Sequence, residues 1–518
     1  MILECGYHSI VKRPTFPATA YLLARLGIRL VFAALFGGAS ALPPLPALAQ
    51  NLPILGDADR ETLSPALERK LGDEIMHNVR RDKDYLDDPP TLEYLNTFGT
   101  KLVEAHPEAR GEAGFDFYFF AVRDPLLNAF ALPGGYIGVH TALLLAAQNE
   151  SELAGVLSHE IGHVAQRHIA RMLGKQKQDS LIPLASMLLA ALAARSSPDA
   201  SMAMIMGGQG VTLQRQLNFG REAEREADRI GLQIMREAGY DTSGMVSFFG
   251  RMQSATRAYN DTAPAFLRSH PLTTERIADI QARLRDFPAQ KHTDSIDFQF
   301  TRARVRVLQD PSAQGTREAV VALSEQANSK VPQLAVAAKY GLAFAALRQG
   351  DPGKAQSLLN DVRAAGYKDN VMVAGMAIDI RLAARDATEA VRLAQTARSS
   401  FPLSRGIARQ YADALMAAGR HDDAVAYLRD QAQQYRNEPE LQAQLARAYA
   451  GQGKQALQHL ALAESYALSG SIPAALEQIA IARQAPDASY YDQAIIDARE
   501  RELKARWRDE VKEGRKEF

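Results

Sequence analysis

The chain has 518 residues, too many for one hydrophobic core and enough for two or three domains. Its 60 basic and 60 acidic residues balance, which argues against a nucleic-acid partner. A single cysteine, Cys5, excludes a disulfide-stapled fold.

At the N-terminus Lys12, Arg13, Arg25 and Arg29 precede or enter the apolar run "LVFAALFGGASAL", and "ALA" follows at 47–49. A basic region, an apolar stretch and a small-x-small site read as a secretory signal peptide over 1–49, cleaved after Ala49. The apolar run is short for a membrane anchor and is broken by Gly37-Gly38 and Pro43-Pro44. The remaining chain carries 56 basic and 59 acidic residues and no cysteine. That composition suits a bacterial periplasm.

Residues 57–285 mix strand-like and helix-like stretches. "FDFYFFAV" (115–122) favours a strand, and "NAFALPGGYIGV" (128–139) reads as a hairpin bent at Pro133-Gly134-Gly135. Helical sequence follows from "TALLLAAQ", and Asn149 with Glu152 makes a capping-box-like start to a helix running to about Leu173. Residues 174–210 hold two apolar runs, too short to span a bilayer. They read as core helices, with a flap or a peripheral membrane contact as the alternative.

From 300 to 500 strand signals vanish and a repeat emerges. "GDPGKAQSLL", "RDATEAVRLA" and "GRHDDAVAYL" begin at 350, 385 and 419, at the spacing of a helix-turn-helix unit. A further unit over 459–486 is out of phase, so an extra helix is expected around 441–452. The last segment, 501–518, reads as a charged tail.

The chemistry concentrates in "LSHEIGHVAQRH", residues 157–168. On a helix His159 and His163 project from one face, as a single metal ion requires. Glu160 sits beside them as a general base, so His-Glu-x-x-His supplies two zinc ligands and a base in one turn. Gly162 leaves room for another element to approach. On a continuous helix His168 lies about 180° from His159 and so points away from the metal. His140 has no ligand spacing. A third ligand must come from elsewhere. "REAEREADRIG" (221–231) offers Glu222, Glu224, Glu226 and Asp228, and its two i, i+4 pairs, Glu222–Glu226 and Glu224–Asp228, are not distinguished by spacing.

His-Glu-x-x-His followed some sixty residues on by "EREAD" resembles the M48 family of zinc metallopeptidases. The resemblance implies one zinc per chain, with Glu224 as third ligand and Asp228 orienting a zinc histidine. "NAFALPGG" is also similar to this family, which implies that Asn128, Ala129, Phe130 and Ala131 form an edge strand to which peptide substrate adds. His270-Pro271 matches a further family feature and implies that His270 stabilises the oxyanion or restrains the resting metal, with Arg276 supporting its loop. The period near 34 resembles tetratricopeptide repeats.

The expected fold class is α+β: a mainly helical gluzincin-like metalloprotease domain (57–285) with a small β-hairpin or sheet, then an all-α tetratricopeptide-like repeat domain (300–500). This combination is similar to periplasmic members of the family in Gram-negative bacteria. It implies a zinc endopeptidase acting on misfolded or stalled outer-membrane proteins, with the repeats recruiting substrate or the assembly machinery. A chaperone or scaffold working by binding through the repeats is the alternative.

Overall fold

The computed structural model describes residues 63–111, 113–173, 220–258, 265–285 and 290–515. The expected signal peptide and the apolar runs of 174–210 lie outside these residues.

The first described helices are α1 (Pro65–Arg81) and α2 (Pro89–Ala105). Each carries proline in its first turn and an oxygen cap, Ser64 on the Leu67 amide and Asp88 on the Thr91 amide. Three strands follow: β1 (Tyr118–Val122), β2 (Ala129–Leu132) and β3 (Tyr136–His140). They form one sheet in the order β1-β3-β2, with β1 parallel and β2 antiparallel to β3. β2 therefore keeps one edge free of strand partners among the described residues. The turn joining β2 to β3 uses Gly134 and Gly135 at φ of 77° and 92°, a region that glycine enters without strain.

α3 (Thr141–Ala146) leads to α4 (Glu150–Ala165), which carries the His-Glu-x-x-His segment. Asn149 caps α4, accepting from the Glu152 amide at 2.9 Å, while Glu152 Oε2 accepts from the Gln148 amide at 2.7 Å. α4 is buried from Glu150 to Val164, so this is a core helix rather than an amphipathic surface one. α5 (His168–Leu173), α6 (Arg221–Glu237), α7 (Ser243–Ala258), α8 (Ala265–Ser269) and α9 (Thr274–Leu284) complete the region around it.

The rest is helical: α10 (Ile296–Leu308), α11 (Ala313–Gln326), α12 (Pro332–Arg348), α13 (Pro352–Val362), α14 (Val371–Ala383), α15 (Ala387–Ser400), α16 (Arg405–Ala417), α17 (His421–Gln434), α18 (Pro439–Gly451), α19 (Gln455–Leu468), α20 (Ile472–Gln484) and α21 (Tyr490–Arg515). This is the expected α+β class followed by helical repeats. The turns before α13, α15, α17 and α19 pass through left-handed backbone at Gly350, Arg385, Gly419 and Gly453. The same side-chain bond recurs 34 residues apart. Gln410 Nε2 donates to the Gly375 carbonyl and Asp379, and Gln444 Nε2 to the Arg409 carbonyl and Asp413.

Two details differ from the sequence reading. The helix expected to interrupt the repeats is α18, which with α19 makes another hairpin in phase with its predecessors. The segment from 501 is not a separate tail: α21 continues through it to Arg515.

One apolar core runs without a break from Leu95 and Phe98 of α2, through Leu157 and Ile161 of α4, to Phe300 of α10 and Ile380 of α14. The later repeats return to the beginning of the fold. Glu93 of α2 accepts from Ser404 Oγ and the Arg405 amide, and Arg409 of α16 pairs with Asp87 at 3.2 Å. No helix among the described residues is long and apolar enough to cross a membrane.

Candidate metal centre

Two glycines bring the His-Glu-x-x-His helix and the acidic helix into backbone contact. A Cβ on Gly162 of α4 would lie 2.9 Å from the Ala227 carbonyl oxygen of α6, and one on Gly231 of α6 would lie 3.1 Å from the His159 amide nitrogen. The buried face of α6 runs Glu224, Ala227, Asp228, Gly231, Ile234 and Met235, spaced at three and four residues. Its first two turns thus place carboxylates where the later turns place apolar groups. Both are buried against α4, whereas Glu222 is exposed.

His159 Nε2 lies 3.1 Å from His163 Nε2 and 3.4 Å from Glu224 Oε2, and His163 Nε2 lies 3.5 Å from Glu224 Oε1. His270, at the end of α8, brings Nδ1 to 3.0 Å from Glu224 Oε1 and 3.4 Å from His159 Nε2. One donor atom from each of these four side chains fits within 4.8 Å of the others, and all four side chains are buried. Separations just above 3 Å are those between neighbouring ligands on a tetrahedral ion with bonds of about 2 Å.

The charge balance points the same way. Three buried carboxylates, Glu160, Glu224 and Asp228, face the single guanidinium of Arg276. Burial opposes charge on His159, yet the Asp228 and Glu224 carboxylates outweigh it and raise its pKa to about 9. Burial pushes Glu224 up, but His270 and His159 pull harder and hold it well below the usual carboxylate range. His163, buried beside His159, is driven well below the usual imidazole value. A pocket that draws a proton onto one imidazole and keeps a second neutral is built for a cation. The residues present therefore fit zinc, held by imidazole and carboxylate donors.

Asp228 Oδ1 lies 2.9 Å from His159 Nδ1, on the side of the ring away from the donor cluster. Arg276 locks that carboxylate with two bonds of 2.8 Å and places Nη1 2.7 Å from Glu224 Oε2. Its part is larger than the loop support expected of it.

Glu160 is fully buried, lies near the Ala131 backbone amide without a hydrogen bond to it, and stands 3.6 Å from His270 Nε2. Burial raises its pKa above the ordinary carboxylate value. Ala131 belongs to β2, so the edge strand runs alongside the glutamate. Ala129 and Phe130 share that strand, with Phe130 packed edge-on against His140 at 5.9 Å between ring centroids. Asn128 precedes the strand, fully buried. His140 turns to Asp124 and the Leu126 carbonyl, away from the donor cluster.

The profile of peptidase family M48 matches residues 94–284, the part of the chain that builds this site. Over 451 residues the chain is 30% identical to the beta-barrel assembly-enhancing protease of Escherichia coli K12, covering 87% of this chain and 91% of that protein. The chain belongs to peptidase family M48. A Vibrio cholerae relative described under the same protease name is 38% identical over 269 residues, 51% of this chain and 54% of its own length. The mitochondrial metalloendopeptidase OMA1 of Schizosaccharomyces pombe is 32% identical over 204 residues, 39% of this chain and 56% of that protein. As an M48 protein the chain is a zinc metalloendopeptidase.

One expectation about the M48 site is overturned. His168 does not point away. α4 stops at Ala165, and Arg167 takes a left-handed backbone with φ of 50°, so the helical rotation that carried His168 to the far side does not apply. His168 Nδ1 comes within 2.8 Å of His163 Nδ1, and its Nε2 within 3.1 Å of Glu226 Oε2. Glu226 also pairs with Arg171 at 2.9 Å. Burial lowers the His168 pKa to about 4, so the ring is neutral in ordinary conditions. The only sequence signal for this contact was the histidine itself, near the end of the helix.

Proposed function

We propose that this protein is a periplasmic endopeptidase that cleaves misfolded or stalled outer-membrane proteins, with zinc held by His159, His163 and Glu224. The observation that carries the reading is the convergence of these three donors beside Glu160, on a helix packed against β2, whose outer edge has no strand partner among the described residues. Zinc, when bound, supplies Lewis-acid polarisation of the scissile carbonyl and makes water more acidic.

Glu160 takes the proton of the attacking water and passes it to the leaving amine, a task that suits a carboxyl raised by burial. Asp228 holds His159 by its second nitrogen. An extended peptide adds to the outer edge of β2 along 128–131, so its backbone is held in register while its side chains alternate. His270 lies within donor distance of Glu224 and His159, and this favours a resting form in which it fills the fourth position and restrains turnover.

The proposed organisation is a signal peptide over 1–49, a peptidase domain over 57–285 and tetratricopeptide-like repeats over 300–500. Several relatives are named for enhancing β-barrel assembly, which supports outer-membrane proteins as substrates. The repeats would recruit substrate or the assembly machinery.

The deciding experiment is Glu160→Gln. Cleavage of casein or of a misfolded barrel protein should fall by about 10²–10⁴-fold while zinc content and fold persist. If cleavage continued at the unmodified rate, the peptidase assignment would fail. A cellular role that survived the change intact would instead favour action by binding through the repeats.

A further inference from the structure

The two histidines proposed to hold zinc are braced in different ways. His159 has a carboxylate behind it, Asp228, fixed in turn by Arg276. His163 has an imidazole. We propose that His168 is a positioning residue for zinc binding, setting the tautomer and the ring plane of His163 through a relay that ends at Glu226 and Arg171. The inference rests on the zinc-ligand reading above.

Proton counting gives the direction of the relay. The two Nδ1 atoms are 2.8 Å apart, so a single proton lies between them and one ring donates while the other accepts. His168 Nε2 faces the Glu226 carboxylate at 3.1 Å, and an ionised carboxylate can only accept. Nε2 of His168 therefore carries the proton, and in the neutral ring its Nδ1 is bare. The shared proton then belongs to His163 Nδ1. That leaves the His163 Nε2 lone pair uncovered, directed to the place where His159 Nε2 and Glu224 Oε1 converge. With the opposite tautomer the proton would stand on the nitrogen that must bind the metal.

The backbone is shaped for this contact. Were α4 to continue, residue 168 would be rotated about 140° from residue 163 and could not face its ring. The left-handed turn at Arg167 brings His168 back over the preceding helical turn. A non-glycine residue in that region costs on the order of 1 kcal/mol and persists where its surroundings hold it. Here Arg167 Nε donates to the buried Glu68 carboxylate at 2.9 Å, tying the turn to α1. The rings of His163 and His168 then meet nearly edge to face, with centroids 4.8 Å apart. Arg171, one helical turn on, fixes the Glu226 oxygen that receives the last proton of the relay.

The test measures zinc affinity of the mature full-length protein by chelator competition, with the cobalt(II) absorption spectrum as a second readout. His168→Leu keeps the bulk and removes the acceptor. It should weaken zinc binding about 10–100-fold and alter the cobalt spectrum. His168→Asn places an amide oxygen where Nδ1 stood and should restore affinity to within about threefold of the unmodified protein, which a packing role would not predict. Equal losses in the Leu and Asn variants, or unmodified affinity in the Leu variant, would overturn the proposal. Should His168→Leu fail to fold, Glu226→Ala carries the test. Glu226 is only partly buried, and its loss frees the His168 tautomer, so affinity should fall several-fold and an unchanged value would count against the relay. His163→Ala is the control: if it binds zinc as the unmodified protein does, the ligand assignment itself is wrong rather than the positioning.

Discussion

Arg276 and Asp228, 48 residues apart in sequence, meet as a buried bidentate pair, Nε to Oδ2 and Nη2 to Oδ1, each at 2.8 Å. Through this pair the loop carrying His270 is tied to the helix carrying Glu224. The planar fork matters here, because the remaining arm, Nη1, reaches both Glu224 Oε2 at 2.7 Å and the Pro271 carbonyl at 2.9 Å. Arg276→Lys keeps the charge and cannot span these partners. It should lower zinc affinity by about tenfold while leaving the helical fold intact, read by chelator competition alongside far-ultraviolet circular dichroism. Unchanged affinity would mean that Asp228 orients His159 without this brace.

The contact between Gly162 and Ala227 makes a second prediction. A methyl at 162 meets backbone at 2.9–3.0 Å, where no side chain can swing aside. Gly162→Ala should therefore push α6 from α4, destabilising the protein by about 1–3 kcal/mol and loosening the metal site with it. Gly250→Ala in α7 is the matched control, since nothing lies within 4 Å of the new methyl. There the better helix propensity of alanine should leave the melting temperature level or higher. Similar losses at both positions would show that the close approach is not what matters.

The His159–His163 pair was legible because its geometry is internal to one helix, and the need for space at Gly162 followed from glycine in a helix interior. Glu224 was not separable from Glu226 by spacing, since both sit in i, i+4 pairs, and only resemblance chose between them. Their separation in space follows from the apolar stripe: Glu224 shares a face with Ala227 and Gly231, whereas Glu226 lies to its side, facing His168. A helical wheel puts His168 on the wrong side because it assumes an unbroken helix, and one left-handed residue, Arg167, breaks it. The phase of the last repeats was missed because Gln458 occupies the position that Ala390 and Ala424 fill in the preceding units. The left-handed turn at Gly453 preserved the period where the side chain did not.

Metal removal should cost stability as well as activity. Without a cation the buried carboxylates of Glu160, Glu224 and Asp228 are balanced only by the Arg276 guanidinium and the proton that His159 draws in. A ligand that binds only the folded chain stabilises it by about 4 kcal/mol at a thousandfold excess over its dissociation constant. Chelation should thus lower the melting temperature by several degrees, and added zinc should restore it. The Glu160→Gln protein should respond in the same direction, because Glu160 is proposed as the base and not as a ligand. A melting temperature indifferent to chelator would argue against a bound structural or catalytic ion.

The Asp88–Arg304 pair links the cap of α2 to α10, and so joins the peptidase region to the helices that follow it. Both groups are buried, with contacts of 2.8–2.9 Å, and Asp88 also caps α2 through Thr91. Burial alone would raise the Asp88 pKa, but Arg304 and Thr91 outweigh it and hold the carboxyl below its usual value. A carboxyl depressed in the folded state contributes stability that is present above its unfolded pKa of about 4 and is lost as pH falls toward the lower folded value. Asp88→Ala strands the Arg304 charge in the interior and should cost about 3–5 kcal/mol at neutral pH, most of it desolvation of the unpaired guanidinium. Urea unfolding at neutral pH and at about pH 3 separates the contributions, since protonation of Asp88 should narrow the gap between the unmodified protein and the variant only in acid. A gap that stayed constant across that range would show that the cap and the packing, not the ion pair, hold the two helices together.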